Sequence, residues 1–305
     1  MDKFNVYESL EGIMRVLVLG SSGFIGESIV TKAPKNIKLT GTYYKNEIKY
    51  KNGEFEYLNF LDEELDWKKI IEPFSCIIVA ARANAENITT RDNISLKAQK
   101  AFRNMLNAVK ENKSEIFIIA INGSLTYGNR GEELVKTSDK INPTGFAKSY
   151  SIAERPFREY LAQENEIAIV RAPYVLGVGS WFSQMYLMTD KIPIIGNGRQ
   201  WMAIVTVNDL AEYVWQLVEM RKSGIFHPKL ISRCRQENFA RIVQKVTKRQ
   251  IKKLGIFGLL RMEKQKRESI LASIKLDDGE DHISESESAK VELENAIRDI
   301  YSLFS

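Results

Sequence analysis

The chain is 305 residues long, 44% hydrophobic and 27% charged, with a formal net charge of +5. That length suits an enlarged α/β unit with a smaller appendage, and the lack of low-complexity tracts and internal repeats excludes disordered, fibrous and solenoid architectures. The longest apolar runs, residues 76–81 and 116–121, are strand-sized, and residues 1–13 lack the basic and apolar regions of a signal peptide, so no membrane contact and a cytoplasmic location are expected.

Cys76 and Cys234, with His227 and His282, are too few and too scattered for a disulfide framework or a transition-metal site. Charge is uneven: residues 241–267 hold ten Lys or Arg against Glu263 alone, and residues 277–294 hold eight Asp or Glu against Lys290 alone. Solvated, mutually neutralising helix faces account for this, with an anionic-substrate rim as the alternative. No nucleic-acid-binding module accompanies the basic stretch, so no nucleic-acid partner is expected.

In chain order, the apolar run 14–19 leads through Gly20-Ser21-Ser22-Gly23-Phe24-Ile25-Gly26 into a helix-like stretch at 27–32. A buried strand that turns through glycines into a helix is built to hold a pyrophosphate. Gly20 permits the turn, Gly23 lets backbone N–H groups approach the phosphates, Gly26 lets the helix pack close to the strand, and the helix dipole favours the anion. Further apolar strands are expected at 37–43, 55–58, 76–80, 116–121 and 167–171, alternating with helical patterns. Between the fourth and fifth, Ala98, Phe102, Met105, Leu106 and Val109 recur at helical spacing as core positions.

After Pro173 the pattern loosens around Gly177, Gly179, Gly196 and Gly198, as expected of loops that form a substrate site. A strand at 203–207, a helix at 209–220 and a strand near 225–231 are then expected to return to the sheet, followed by a helical C-terminal segment. The expected fold is α/β. A Rossmann-type doubly wound parallel sheet is assigned to residues 14–175 with 203–232, behind an N-terminal tail at 1–13, and a smaller C-terminal substrate domain to 176–202 with 233–305.

With Gly20-x-x-Gly23-x-x-Gly26, the chain resembles the extended and atypical short-chain dehydrogenases/reductases, the NAD-dependent epimerase/dehydratase-like group of nucleotide-sugar epimerases, dehydratases and related reductases. The resemblance runs on through Leu61-Asp62, Ala80-Ala81, Tyr127-Gly128, Arg171-Ala172-Pro173, the Gly196-Asn197-Gly198 loop and Val205 to Asp209. It implies a dinucleotide held by the glycine loop including Phe24 and Ile25, with Asp62 near adenine and Ala80-Ala81 near the ribose and phosphates. It also implies a homodimer formed through helices, although no residue pattern here decides oligomeric state. At the end of the second strand no carboxylate is available for a ribose 2′-OH; Lys45 offers a cation, and Ser21 and Ser22 offer hydroxyls, which favours NADP over NAD.

The chemical end departs from the family pattern. Where such enzymes carry Tyr-x-x-x-Lys, this chain places Phe146 at the Tyr position and Tyr150 at the Lys position; the shifted frame puts Glu154 where the Lys belongs. Lys148 lies on another face of the helix. Four residues before Tyr127, where the family has Ser or Thr, stands Gly123, leaving Ser124 or Thr126 as the nearest hydroxyl. Where nucleotide-sugar enzymes clamp the diphosphate with an Arg, Met202 stands, disfavouring such a substrate unless Arg199 shifts into place. Trp181, Phe182, Met185, Tyr186, Trp201 and Met202 suggest an apolar pocket, or else a packed domain interface.

The expected activity is therefore an NADP-dependent oxidoreductase of the atypical type, acting on a non-nucleotide carbonyl or alkene of specialised metabolism, with Tyr150 and Ser124 as proton and hydrogen-bond donors. Two alternatives stand beside it: a catalytically silent NADP-binding sensor or interaction subunit, and an epimerase or dehydratase that recycles its bound cofactor.

Overall fold

The computed structural model describes residues 13–47, 50, 53–82, 88–112, 115–279 and 283–304. Residues 1–12 of the expected tail and His282 lie outside them.

Seven strands form the main sheet: β1 (Arg15–Leu19), β2 (Lys38–Tyr43), β3 (Glu54–Tyr57), β4 (Cys76–Val79), β5 (Phe117–Gly123), β6 (Ile167–Ala172) and β7 (Gly224–Phe226). Their order is β7-β6-β5-β4-β1-β2-β3, and every pairing is parallel. This is a Rossmann-type sheet. Its central strands are continuously apolar because both faces are covered. On one face Leu17, Leu19, Ile77 and Val79 meet α2 (Ile88–Glu111) and α3 (Ala147–Ala162) through Phe102, Met105, Phe157 and Tyr160. On the other, Val16, Val18, Cys76 and Ile78 meet α1 (Phe24–Thr31) and α4 (Val207–Met220) through Ile29, Val30, Leu210 and Val214. Alternate residues of one strand thus feed two separate cores.

The C-terminal return differs from the sequence expectation. The strand expected at 203–207 runs Trp201–Thr206 and joins a separate three-stranded sheet, parallel to Tyr174–Leu176 and antiparallel to Ser232–Arg235. The single strand expected near 225–231 is two, with β7 in the main sheet and Ser232–Arg235 in the small one. Pro228, which lacks the N–H of a continued ladder, lies between them. The smaller lobe has its own core, in which Phe182, Tyr186, Phe239, Leu293 and Ile297 are buried together.

His227, just past β7, ties this part of the chain to the C-terminal segment. Its buried ring accepts from the Tyr127 hydroxyl at Nε2 (2.8 Å) and donates from Nδ1 to the Asp277 carbonyl (2.5 Å), an arrangement for the neutral imidazole. Burial lowers its pKa from the ordinary value. A His whose folded pKa is depressed stabilises the fold above its unfolded pKa and loses that contribution as pH falls. Denaturant unfolding should therefore show wild type losing stability from pH 7.5 to 5.5 more steeply than His227→Gln; coincident slopes would refute this.

Candidate active site

The glycine loop is shaped by close approach. Gly20 has φ +80°, and a Cβ there would lie 2.5 Å from Ala81 Cα, so the loop lies directly on the end of β4. A Cβ on Gly26 would fall onto the Gly20 carbonyl. Gly23 donates its N–H to the Gly20 carbonyl (3.1 Å) and opens α1 without any side-chain cap, leaving the helix N-terminus to an external anion. These residues fit a pyrophosphate, since the cradle is one that side chains would fill.

The other expected cofactor residues have different commitments. Ser21 is fully buried and its hydroxyl donates to the Thr42 carbonyl (2.8 Å), bracing the loop against β2. Ser22 is half-buried, and Lys45 is exposed in the bend after β2. Asp62 is exposed and accepts the Glu64 N–H (3.0 Å), stabilising its own turn after β3. Phe24, Ile25 and Ala80 line a cleft that continues from the glycine loop, whereas Ala81 packs beneath Gly20.

That cleft encloses about 360 Å³, and its far wall carries Arg82, Gly123, Ser124, Phe146 and Tyr150. Ser124 and Tyr150 are thus brought to one cavity by β5 and α3. Tyr150 is half-buried, with the Arg82 guanidinium 4.2 Å from its ring centre. Burial pushes its hydroxyl up to about 12, against the downward pull of Arg82 and Arg171 and with a smaller upward push from Glu154. It is therefore a phenol at neutral pH. Phe146 lies under the smaller lobe, its N–H donating to Ser269 Oγ (3.0 Å) and its ring beneath Arg91 (4.9 Å). Thr126 spends its hydroxyl on the Gly123 carbonyl (2.8 Å), and Lys148 pairs on the surface with Glu268 (2.7 Å).

Behind the cleft a buried ion pair holds β5, α3 and β6 in register. Glu154 accepts from both terminal nitrogens of Arg171 and from Asn122, and Arg158 lies beside it as an ion-pair partner (3.0 Å). Asn122 in turn accepts the Gly123 N–H (2.7 Å), so the pair fixes the backbone at the cleft wall.

The apolar pocket expected from the sequence is only partly present. Trp181 and Phe182 line the cleft with Tyr174, but Met202 and Tyr186 are buried in the core of the smaller lobe. Trp201 is clasped between Arg235 (4.0 Å) and Lys275 (4.3 Å) and donates its indole N–H to Glu132 (2.9 Å). Because Met202 faces a core, its apolar character reflects packing and gives no information about the substrate. Arg82 was missed by the sequence reading; the signal was a cation directly following the apolar strand and Ala80-Ala81.

A parallel sheet of this order, with an uncapped glycine turn opening into a cleft beneath a smaller lobe, defines a Rossmann-type fold with a smaller second lobe. The sequence model of the NAD dependent epimerase/dehydratase family matches residues 16–227, and the chain belongs to that family. No curated protein matches it. Among solved structures it is similar to dTDP-glucose 4,6-dehydratase from Bacillus anthracis in complex with NAD (12% identity, 95% of this chain and 96% of that one, TM-score 0.73). It is also similar to UDP-glucuronic acid 4-epimerase from Bacillus cereus in complex with UDP-glucuronic acid and NAD (16% identity, 96% and 100%, TM-score 0.73). A third likeness is to human epimerase family protein SDR39U1 with NADPH (16% identity, 95% and 99%, TM-score 0.70). These are likenesses of fold.

Proposed function

We propose that this protein is an NAD-binding epimerase or dehydratase of nucleotide-linked sugars that recycles its bound cofactor. The observation that carries the reading is the continuity of the cofactor cradle with a cleft whose far wall presents Tyr150 and Ser124. The expectation of an NADP-linked reductase of non-nucleotide substrates is overturned by the solved relatives, among which the dehydratase and the epimerase are named for nucleotide sugars and hold NAD. Local geometry agrees: Ser21, one of the groups offered to a 2′-phosphate, is committed to Thr42. Met202, which argued against a nucleotide sugar, is a core residue.

The chemistry supplied by bound NAD is hydride exchange with the sugar and back, without net consumption. The Gly20 to Gly26 loop and the N-terminus of α1 hold the pyrophosphate. Tyr150, protonated at neutral pH, offers a hydrogen bond to a substrate oxygen, and Ser124 a second. Phe146 exchanges no proton and lines the cleft with an apolar ring. Heat-denatured protein is expected to release NAD. The purified protein, titrated with both NAD and NADP, is expected to convert a UDP- or dTDP-hexose without accumulating or consuming reduced cofactor. Stoichiometric NADPH oxidation, or failure to bind NAD, would refute the reading.

A further inference from the structure

Gly123, Phe146 and Tyr150, which separately depart from the family pattern, belong to one arrangement. The Tyr150 hydroxyl oxygen lies 2.8 Å from where a Cβ on residue 123 would be, and that ideal Cβ has the Tyr150 ring at 3.4–3.7 Å. A serine or threonine at 123 would compete with the phenol for one space. Glycine there is what lets Tyr150 reach across from α3 to the end of β5. Phe146, one helical turn earlier, meets Arg91 and Ser269 and has no group to contribute.

The charge next to this hydroxyl comes from an unexpected element. Arg82 follows β4, is exposed to the cleft, and lays its guanidinium over the Tyr150 ring at 4.2 Å. A guanidinium is planar, always charged and suited to stacking on an aromatic face, so it fixes the ring's orientation while keeping donors for a ligand. Arg82 and Tyr150 also share a cavity of about 60 Å³ behind the cleft with Asn122, Ser95 and Glu154. That volume exceeds what one water needs, and its walls are polar enough to hold it.

We propose that Arg82 is the positioning residue for Tyr150, the two forming a hydroxyl–guanidinium pair that presents the hydrogen-bond donor to the substrate oxygen in place of a serine or threonine at residue 123. This rests on the epimerase/dehydratase reading only for the identity of the substrate. The charged and titratable groups that face Tyr150 are Arg82 from the segment after β4, Glu154 from α3, Arg171 from β6 and Tyr174 from the smaller lobe, with Arg91 of α2 acting on Arg82.

The test uses the full chain with 3-fluorotyrosine installed at position 150, so that a single fluorine signal reads that hydroxyl. Arg82→Gln should raise its titration midpoint by about one pH unit, and Arg82→Lys should restore most of the shift. With a nucleotide sugar that the wild type converts, Tyr150→Phe should lower turnover about 100-fold and Arg82→Gln about 10-fold, both with NAD affinity unchanged. A fluorine midpoint unmoved by Arg82→Gln overturns the pairing, as does full turnover by Tyr150→Phe, while leaving the epimerase/dehydratase reading intact. If the wild type converts no nucleotide sugar but the midpoint moves as stated, the pairing stands and the substrate reading falls. Retained NAD binding by each variant separates these outcomes from misfolding.

Discussion

Replacing Glu154 by Gln is expected to cost about 3–5 kcal/mol of stability, the scale for breaking a buried pair by removing one partner. Arg171 is fully buried and Glu154 only 3% exposed, so the lost charge leaves a buried guanidinium without its counter-ion. The damage should not stop at stability. Glu154 also accepts from Asn122, which holds the Gly123 N–H, and Gly123 is the backbone against which the Tyr150 hydroxyl rests. Guanidinium unfolding should show the loss directly. The double variant Glu154→Leu with Arg171→Met should recover much of it, because an apolar pair removes the desolvation cost of both charges. If Glu154→Gln unfolds at the wild-type midpoint, the pair is not a structural keystone.

Gly26→Ala is expected to do its damage mainly at the cofactor. The added methyl would fall onto the Gly20 carbonyl, and both neighbours are backbone, so α1 must back away from the loop. Overpacking of that kind costs about 1–3 kcal/mol of stability. A displaced helix N-terminus also loses hydrogen bonds to the pyrophosphate, each charge-assisted bond being worth about 1.5–3 kcal/mol. Loss of one corresponds to about a 10- to 100-fold weaker dissociation constant for NAD. Calorimetric titration of the folded variant would check this, and wild-type affinity would remove the glycine loop from the proposed cradle.

Much of this architecture was legible along the chain because the main sheet is buried on both faces. Such strands read as unbroken apolar runs, and β1, β4, β5 and β6 fall where those runs lie. The glycine turn was equally legible, since positive φ at Gly20 and contact at Gly26 are demands that only glycine meets cheaply. The smaller lobe was harder to read. Its strands pair out of chain order, Tyr174–Leu176 with Trp201–Thr206 and the latter with Ser232–Arg235, and no local pattern announces such partners. Apolar residues in that stretch looked like a pocket, but Met202 and Tyr186 serve a core and Trp201 serves a cation clasp.

By itself the sequence determined the first six strands of the main sheet, the glycine turn and the loss of a hydroxyl at Phe146, all of which follow from the properties of single residues or of neighbours a few positions apart. Only the tertiary structure decided that Gly123 makes room for Tyr150, that Arg82 stacks on it from another strand end, and that Ser21 is spent on Thr42. Those are contacts between segments 21 to 68 positions apart, and their geometry exists only once the parallel strands have set their ends side by side.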